Sequence, residues 1–167
     1  MPVKIAAVAL VALAVLAGSA AARSTLAPAC TGSQLKGTFK VVPGSAGAGN
    51  IVYKLDVANK SQTSCSVTGL PVVRLYGKTG KKLPTHVVPV FRAGLTAILV
   101  TLAPGQYAHA TARFSPDVPG VGEGNRKQCE PTAYWLHVSG TAKVPVKPPT
   151  PVCEHGQLQL TAYQRGR

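Results

Sequence analysis

The chain has 167 residues, of which 18 are Lys or Arg and only 5 are Asp or Glu. Such a surface attracts polyanions such as nucleic acid, anionic lipid headgroups or acidic envelope polymers, although solubility alone is the simplest alternative. So few carboxylates argue against catalysis by paired acids and against calcium sites, since both need clustered carboxylate oxygens.

The N-terminal segment has the pattern of an export signal. Lys4 supplies a positive charge, residues 5–16 form an apolar run, and residues 18–22 are small, as a signal peptidase requires. The run is too short to span a bilayer comfortably, and small residues rather than a charged stop-transfer cluster follow it. We predict a cleaved signal over residues 1–22, with an uncleaved anchor as the alternative. Cys30 lacks a lipobox before it, which argues against a lipid anchor.

The remainder of the chain is predicted to form one secreted or envelope-associated domain. Residues 23–29 are expected to be a flexible leader and residues 30–167 a single domain, because about 145 residues suffice for one core. No other apolar stretch is long enough to cross a membrane, so we expect no transmembrane span in the mature chain.

Short alternating stretches separated by Gly and Pro predict strands along the whole domain. The clearest is residues 51–58, where every second residue is a large apolar one. Two prolines in residues 81–90 indicate an edge strand there. No long window has helical periodicity, so we predict an all-β fold, an antiparallel sandwich of about 7–9 short strands. The predicted strands are residues 35–42, 51–58, 65–76 (interrupted at 69–71), 81–90, 97–102, 108–114, 134–138, 141–147 and 157–163.

Four cysteines, at positions 30, 65, 129 and 153, lie in the predicted mature chain. An even number in an oxidising compartment indicates two disulfides, for which three pairings are possible. A zinc site is the alternative, but no two cysteines form a C-x-x-C pair and only His155 is close to any of them. Strand order favours Cys30–Cys65 and Cys129–Cys153, because antiparallel neighbours bring the members of each pair to the same end of the sheet.

Seven short features follow one another along nearly all of the mature chain. They are Cys30, Gly47-Ala48-Gly49, Val57-Ala58-Asn59-Lys60-Ser61, Cys65 before Gly69-Leu70-Pro71-Val72, Leu102-Ala103-Pro104-Gly105, Cys129 before Trp135-Leu136, and Cys153 before Leu158. In this order they resemble a family of secreted actinobacterial proteins, domain of unknown function (DUF) family 4232. The resemblance implies an immunoglobulin-like β-sandwich, often exported or lipid-anchored, and brings no catalytic residues.

The titratable residues do not form a catalytic pattern. The histidines, His86, His109, His137 and His155, are isolated in sequence, and only Glu154 lies at neighbour spacing from one of them. Neither a G-x-S-x-G nor an H-E-x-x-H motif occurs. We therefore predict that the protein is not an enzyme and uses no metal or other cofactor. Trp135, the single Trp, is expected in the core.

The basic loops are the remaining candidate for a site. Lys78, Lys81 and Lys82 cluster at one predicted hairpin tip, and Arg126 and Lys127 lie in a long loop. We predict an exported, non-catalytic module that uses these five charges to bind an anionic envelope polymer, lipid headgroups or an extracellular protein. Nucleic acid is not the expected physiological partner, because tyrosines alternate with basic residues too sparsely to form a stacking platform. The alternative is a structural or accessory domain without a specific ligand.

Overall fold

Short strands make up most of the domain. The computed structural model describes residues 26–91, 97–116, 129 and 131–166. The predicted signal, residues 1–22, lies outside the described residues. The strands are β1 (Leu35–Val41), β2 (Ile51–Asn59), β3 (Cys65–Val67), β4 (Val73–Tyr76), β5 (His86–Pro89), β6 (Val100–Leu102), β7 (Tyr107–Phe114), β8 (Ala133–Val138), β9 (Ala142–Thr150), β10 (Gln157–Leu160) and β11 (Gln164–Arg165). A 3-10 turn, Gly32–Gln34, precedes β1, and a four-residue turn, Cys153–Gly156, precedes β10.

Eight of these strands form one continuous hydrogen-bonded path in the order β4-β8-β9-β1-β2-β7-β10-β5. β11 adds to β7 beside this path, and β3 pairs with β6 in a separate small sheet. Two pairs of neighbouring strands in the path are parallel, β1 with β9 and β10 with β5, and the other pairs are antiparallel.

The structure confirms a mostly β fold and corrects the finer architecture. The described residues contain eleven short strands rather than 7–9, and the main sheet is mixed rather than antiparallel. Its continuous path makes a near-barrel sheet rather than a clear immunoglobulin-like sandwich. In the described part of the chain, no helix is long and apolar enough to cross a membrane.

The strands that alternate most regularly form the centre of the sheet. β1, β2 and β7 lie side by side, and their inward positions are almost completely buried. The ring of Tyr53 packs between Phe39 and Phe114, with centroid distances of 5.0 and 5.2 Å. Its hydroxyl donates to the Pro148 carbonyl oxygen at 2.9 Å, so the polar end of this buried side chain is satisfied. Burial raises the pKa of Tyr53 above its ordinary value.

The predicted third strand, residues 65–76, is divided between two sheets. Its first part is β3, which pairs with β6, and its second part is β4, which pairs with β8. The break falls at the predicted interruption, where Pro71 cannot donate to a ladder. β5, which ends at Pro89, lies at one end of the main path, in agreement with the predicted edge position.

Two disulfides cross-link the domain, and such bonds are typical of proteins from oxidising, extracellular environments. Cys30 is joined to Cys65 with a Cα–Cα distance of 4.9 Å, and Cys129 is joined to Cys153. These are the two pairs that strand order favoured. The first ties the segment before β1 to β3, where the Cys30 amide also donates to the Ser66 carbonyl oxygen at 2.8 Å.

Asn59, the last residue of β2, connects three segments although it is fully buried. Its amide nitrogen donates to the carbonyl oxygens of Thr63 at 2.7 Å and Leu102 at 2.8 Å. Its amide oxygen accepts hydrogen bonds from the backbone nitrogen and the hydroxyl of Ser61, at 2.9 and 2.7 Å. The Gly105 amide donates to the Asn59 carbonyl oxygen at 2.7 Å. The side chain of Asn59 therefore links the turn after β2 to the end of β6, and its backbone carbonyl holds the turn after β6.

Candidate anion-binding groove

The predicted basic hairpin tip forms one wall of an open groove. After β4 the chain turns through residues 77–80, where the Gly80 amide donates to the Gly77 carbonyl oxygen at 3.0 Å. Gly80 has φ +80°, a conformation that a residue with a side chain rarely adopts. The segment after the turn is held against the end of β4, because the Gly77 amide donates to the Lys81 carbonyl oxygen at 2.9 Å. This turn leaves Lys78, Lys81 and Lys82 exposed.

The second wall comes from the segment that leads into β8. β8 pairs antiparallel with β4, and Trp135 lies directly opposite Tyr76. Residues just before β8 must therefore lie beside residues just after β4. Pro131, Thr132 and Tyr134 line this side of the groove.

The groove has a volume of about 410 Å³. We call it the hairpin groove, and its lysines are Lys78, Lys81 and Lys82. Buried Leu83 contributes to the lining between the walls, and its amide donates to the Leu75 carbonyl oxygen at 3.0 Å. Arg126 and Lys127, the other two residues of the predicted patch, lie outside the described residues. The structure thus brings together three of the five predicted charges and describes no position for the other two.

The electrostatic character of the hairpin groove is set by its ammonium groups. Within the described ranges the acidic residues are Asp56 and Glu154, and neither lines this groove. Each ammonium group offers three donors on a flexible stem, and it acts as a point charge rather than as a planar fork. The hydroxyls of Thr79, Thr132 and Tyr134 add neutral hydrogen-bonding groups. This arrangement suits an anionic ligand that also carries hydroxyl groups.

Sequence reasoning found the lysines but missed the opposite wall. The lysines lie within five consecutive residues and could be recognised from sequence alone. Pro131, Thr132 and Tyr134 join them only because β8 pairs with β4 across a long stretch of chain. No local signal in the sequence specifies that pairing.

The predicted core position of Trp135 is wrong. β8 buries Leu136 and Val138, so Trp135 and His137 lie on its outward face, where both are half-buried. The Lys143 ammonium nitrogen lies 3.9 Å from the centre of the Trp135 ring, a cation–π contact. His137 stacks on Tyr76 with a centroid distance of 4.0 Å.

The other titratable candidates lie apart from the hairpin groove. His109 lies directly opposite Asp56 in the β2–β7 register, a neighbour that sequence spacing did not reveal. Its Nδ1 is 3.2 Å from the Gly166 carbonyl oxygen. His86 and His155 are exposed. Across residues 26–91, 97–116, 129 and 131–166, no group of three or more His, Cys, Asp or Glu side chains could hold a metal ion.

The fold and groove define a mostly β domain with two disulfides and a lysine-lined surface groove. Residues 30–164 match the family described as Domain of unknown function (DUF4232), and the chain belongs to this family. Searches of curated proteins and of solved structures each gave no match.

Proposed function

We propose that the protein is an exported, non-catalytic module that binds an anionic partner through the hairpin groove. The observation that carries this proposal is the convergence of three exposed lysines with neutral hydroxyl donors in one groove that no described carboxylate lines. Charges gathered in a concave surface raise the local concentration of a counter-charged ligand. An anionic polymer of the cell envelope fits best, since it presents several charges to several lysines at once.

Export is part of the proposal and is supported by two features. The first is the signal-like pattern of residues 1–22, and the second is the pair of disulfides, which are typical of oxidising compartments. The actinobacterial origin that the family resemblance implies stays a prediction. The absence of catalysis also stays a prediction, based on the isolation of the histidines in the sequence.

Retention on a heparin column in a salt gradient tests the groove. We expect Lys81→Glu with Lys82→Glu to lower the salt concentration needed for elution, because both variants replace attraction by repulsion within the groove. The slope of log affinity against log salt should fall by about one for each lysine that contacts the polymer. The matched control is Lys60→Glu with Arg165→Glu, which changes two exposed basic residues that do not line the groove.

The control separates a site from a general charge effect, because both double variants change the net charge equally. If both variants elute at the same reduced salt concentration, the basic charge acts without a groove and the binding proposal is wrong. Absence of salt-dependent retention by the unmodified protein would instead favour a structural or accessory domain. A circular dichroism spectrum and thermal midpoint for each variant ensure that folded proteins are compared.

A further inference from the structure

A row of lysines crosses three adjacent strands on the outward face of the main sheet. Lys40 lies directly opposite Lys54 in the β1–β2 register and directly opposite Lys147 in the β1–β9 register. Side chains of directly paired residues share one face, and neighbouring strands lie about 4.8 Å apart. Three ammonium groups therefore extend from adjacent positions in the sheet.

This row has little charge compensation. The Nζ of Lys54 lies 3.4 Å from the Asp56 Oδ1, and this is the ion pair found among the described residues. Lys40 and Lys147 are exposed, and no described carboxylate lies within ion-pair distance of either. Like charges directly opposite each other destabilise a sheet. The isolated domain thus carries an unfavourable arrangement that a bound anion would relieve.

The row borders a second open cavity, separate from the hairpin groove. This cavity has a volume of about 340 Å³ and is lined by residues that include Lys36, Thr38, Lys40 and Asp56. Thr38 lies between the two lysines on the same outward face of β1, because alternate residues of a strand share a face. We call Lys36, Lys40, Lys54 and Lys147 the lysine face.

We infer that the lysine face is a second anion-binding surface, whose ligand is a linear anionic polysaccharide. Lysines spaced across the strands and along β1 match a chain with repeated charges. The Thr38 hydroxyl between them can hydrogen-bond to the hydroxyls of sugar rings. This surface is independent of the hairpin groove, because the two share no lining residue and lie on different strands.

Two other anionic partners fit the face less well. Sheets twist by about 20–25° from strand to strand, so a row of lysines on successive strands follows a curved path and matches a flat bilayer less closely. A flexible polysaccharide can follow the twist. Single-stranded nucleic acid binds through successive bases stacked on aromatic rings as well as through charge. The outward positions of β1 and β2 carry no aromatic ring, and among the described residues Tyr107 alone adds one to the cavity lining, which is too few for a stacking platform.

The test measures the affinity of the folded protein for a short heparin oligosaccharide by titration calorimetry. Lys40→Glu with Lys147→Glu is expected to weaken binding on the order of tenfold at low salt, because repulsion replaces attraction between two side chains and the anionic groups of heparin. The same variant turns the repulsion between positions 40 and 54 into attraction but keeps like charges opposite each other at positions 40 and 147, so we expect little change in the unfolding temperature. A merely structural role for these lysines would lower the unfolding temperature instead.

The double variant Lys81→Glu with Lys82→Glu, measured in the same way, distinguishes binding at the lysine face from binding in the hairpin groove. Loss of affinity in the groove variant with full affinity in the face variant would refute the lysine face and leave the proposed function intact. The reverse result would refute the groove alone. The control Lys60→Glu with Arg165→Glu should retain the affinity of the unmodified protein. An equal loss of affinity in this control would show that the net charge of the protein, and not the lysine face, accounts for binding.

The nature of the ligand is tested with two further probes. Poly(dT) and vesicles of mixed phosphatidylglycerol and phosphatidylcholine are compared with the heparin oligosaccharide at the same ionic strength. Preference for heparin that disappears in Lys40→Glu with Lys147→Glu supports a polysaccharide ligand. Binding to vesicles or poly(dT) that equals or exceeds heparin binding, and that depends on the same lysines, would overturn that assignment.

Discussion

Asn59 offers the sharpest test of how the scaffold is held together. Replacement by Ala removes two donors and one acceptor from a fully buried position. The hydrogen bond to the Leu102 carbonyl oxygen lies in the buried part of this network, and its loss costs about 1.5 kcal/mol. Thr63 is exposed and Ser61 half-buried, so their backbone groups can bond to water and each contributes about 0.5 kcal/mol. We expect Asn59→Ala to lower the free energy of unfolding by about 2.5 kcal/mol.

The Asp variant separates the donors from the acceptor. Asn59→Asp can still accept from Ser61, but its carboxylate cannot donate to the two carbonyl oxygens that Asn59 holds. At pH 7 it should be less stable than Asn59→Ala, because a charge is buried against carbonyl oxygens. Burial raises the pKa of such a carboxyl above its unfolded value, so its penalty is present at neutral pH and declines as the pH falls through the raised pKa.

Urea unfolding of the oxidised protein, followed by Trp135 fluorescence, measures both effects. The matched control is Asn50→Ala, because Asn50 makes one side-chain hydrogen bond, to the Ala48 carbonyl oxygen at 3.1 Å, in an exposed turn. The control should lose less than about 1 kcal/mol, since water can replace that bond. An Asn59→Ala variant no less stable than Asn50→Ala would refute the role of Asn59 as a buried connector.

Two further predictions concern tyrosine hydroxyls and glycine conformation. Tyr163→Phe should stabilise the protein by about 1 kcal/mol at pH 7, because its buried hydroxyl has no hydrogen-bond partner among the described residues, whereas Tyr53→Phe should destabilise it by a similar amount. Burial raises the pKa of Tyr163, so its phenol ionises in the unfolded chain before it ionises in the folded protein, and the free energy of unfolding should fall as the pH rises above about 10. Urea unfolding between about pH 7 and about pH 11 should show a weaker fall for Tyr163→Phe, and an unchanged pH dependence would contradict the assignment. Gly156→Ala should unfold at a much lower temperature than Gly80→Ala, because both have φ near +80° but only a Cβ at position 156 meets backbone, with the Pro84 carbonyl carbon at 2.7 Å. Equal thermal midpoints for the two variants would show that the positive φ alone, without the contact to Pro84, determines the loss of stability.

Local patterns predicted the strands well, but not how distant strands pair. The alternation in residues 51–58 and 108–114 corresponds closely to β2 and β7, because burial on one face imposes a two-residue period on each strand. The parallel pairing of β1 with β9 and of β10 with β5 depends on contacts between distant segments. β9 continues through Pro148 and Pro149 to Thr150, beyond the predicted end of that strand at residue 147.

The lysine face and the position of Trp135 also depend on how strands are arranged in the sheet, which local sequence patterns did not predict. Lys40, Lys54 and Lys147 are far apart in sequence, and only the two registers of β1 place them in one row. For Trp135, a preference of Trp for the core outweighed the alternation of the strand. Had Leu136 and Val138 been used to set the phase of β8, Trp135 would have been placed on the outward face.

Several of the features that carry the family resemblance have a structural explanation. Ser61 and Gly105 meet in the hydrogen-bond network around buried Asn59, and Cys30 and Cys65 form a disulfide. Because these contacts build the scaffold, membership of the family predicts the fold and leaves the ligand open. The lysines of the hairpin groove and of the lysine face lie outside those features. Binding measured with this chain would therefore identify what its own charged surfaces recognise, and each further family member would need its own surface to be tested.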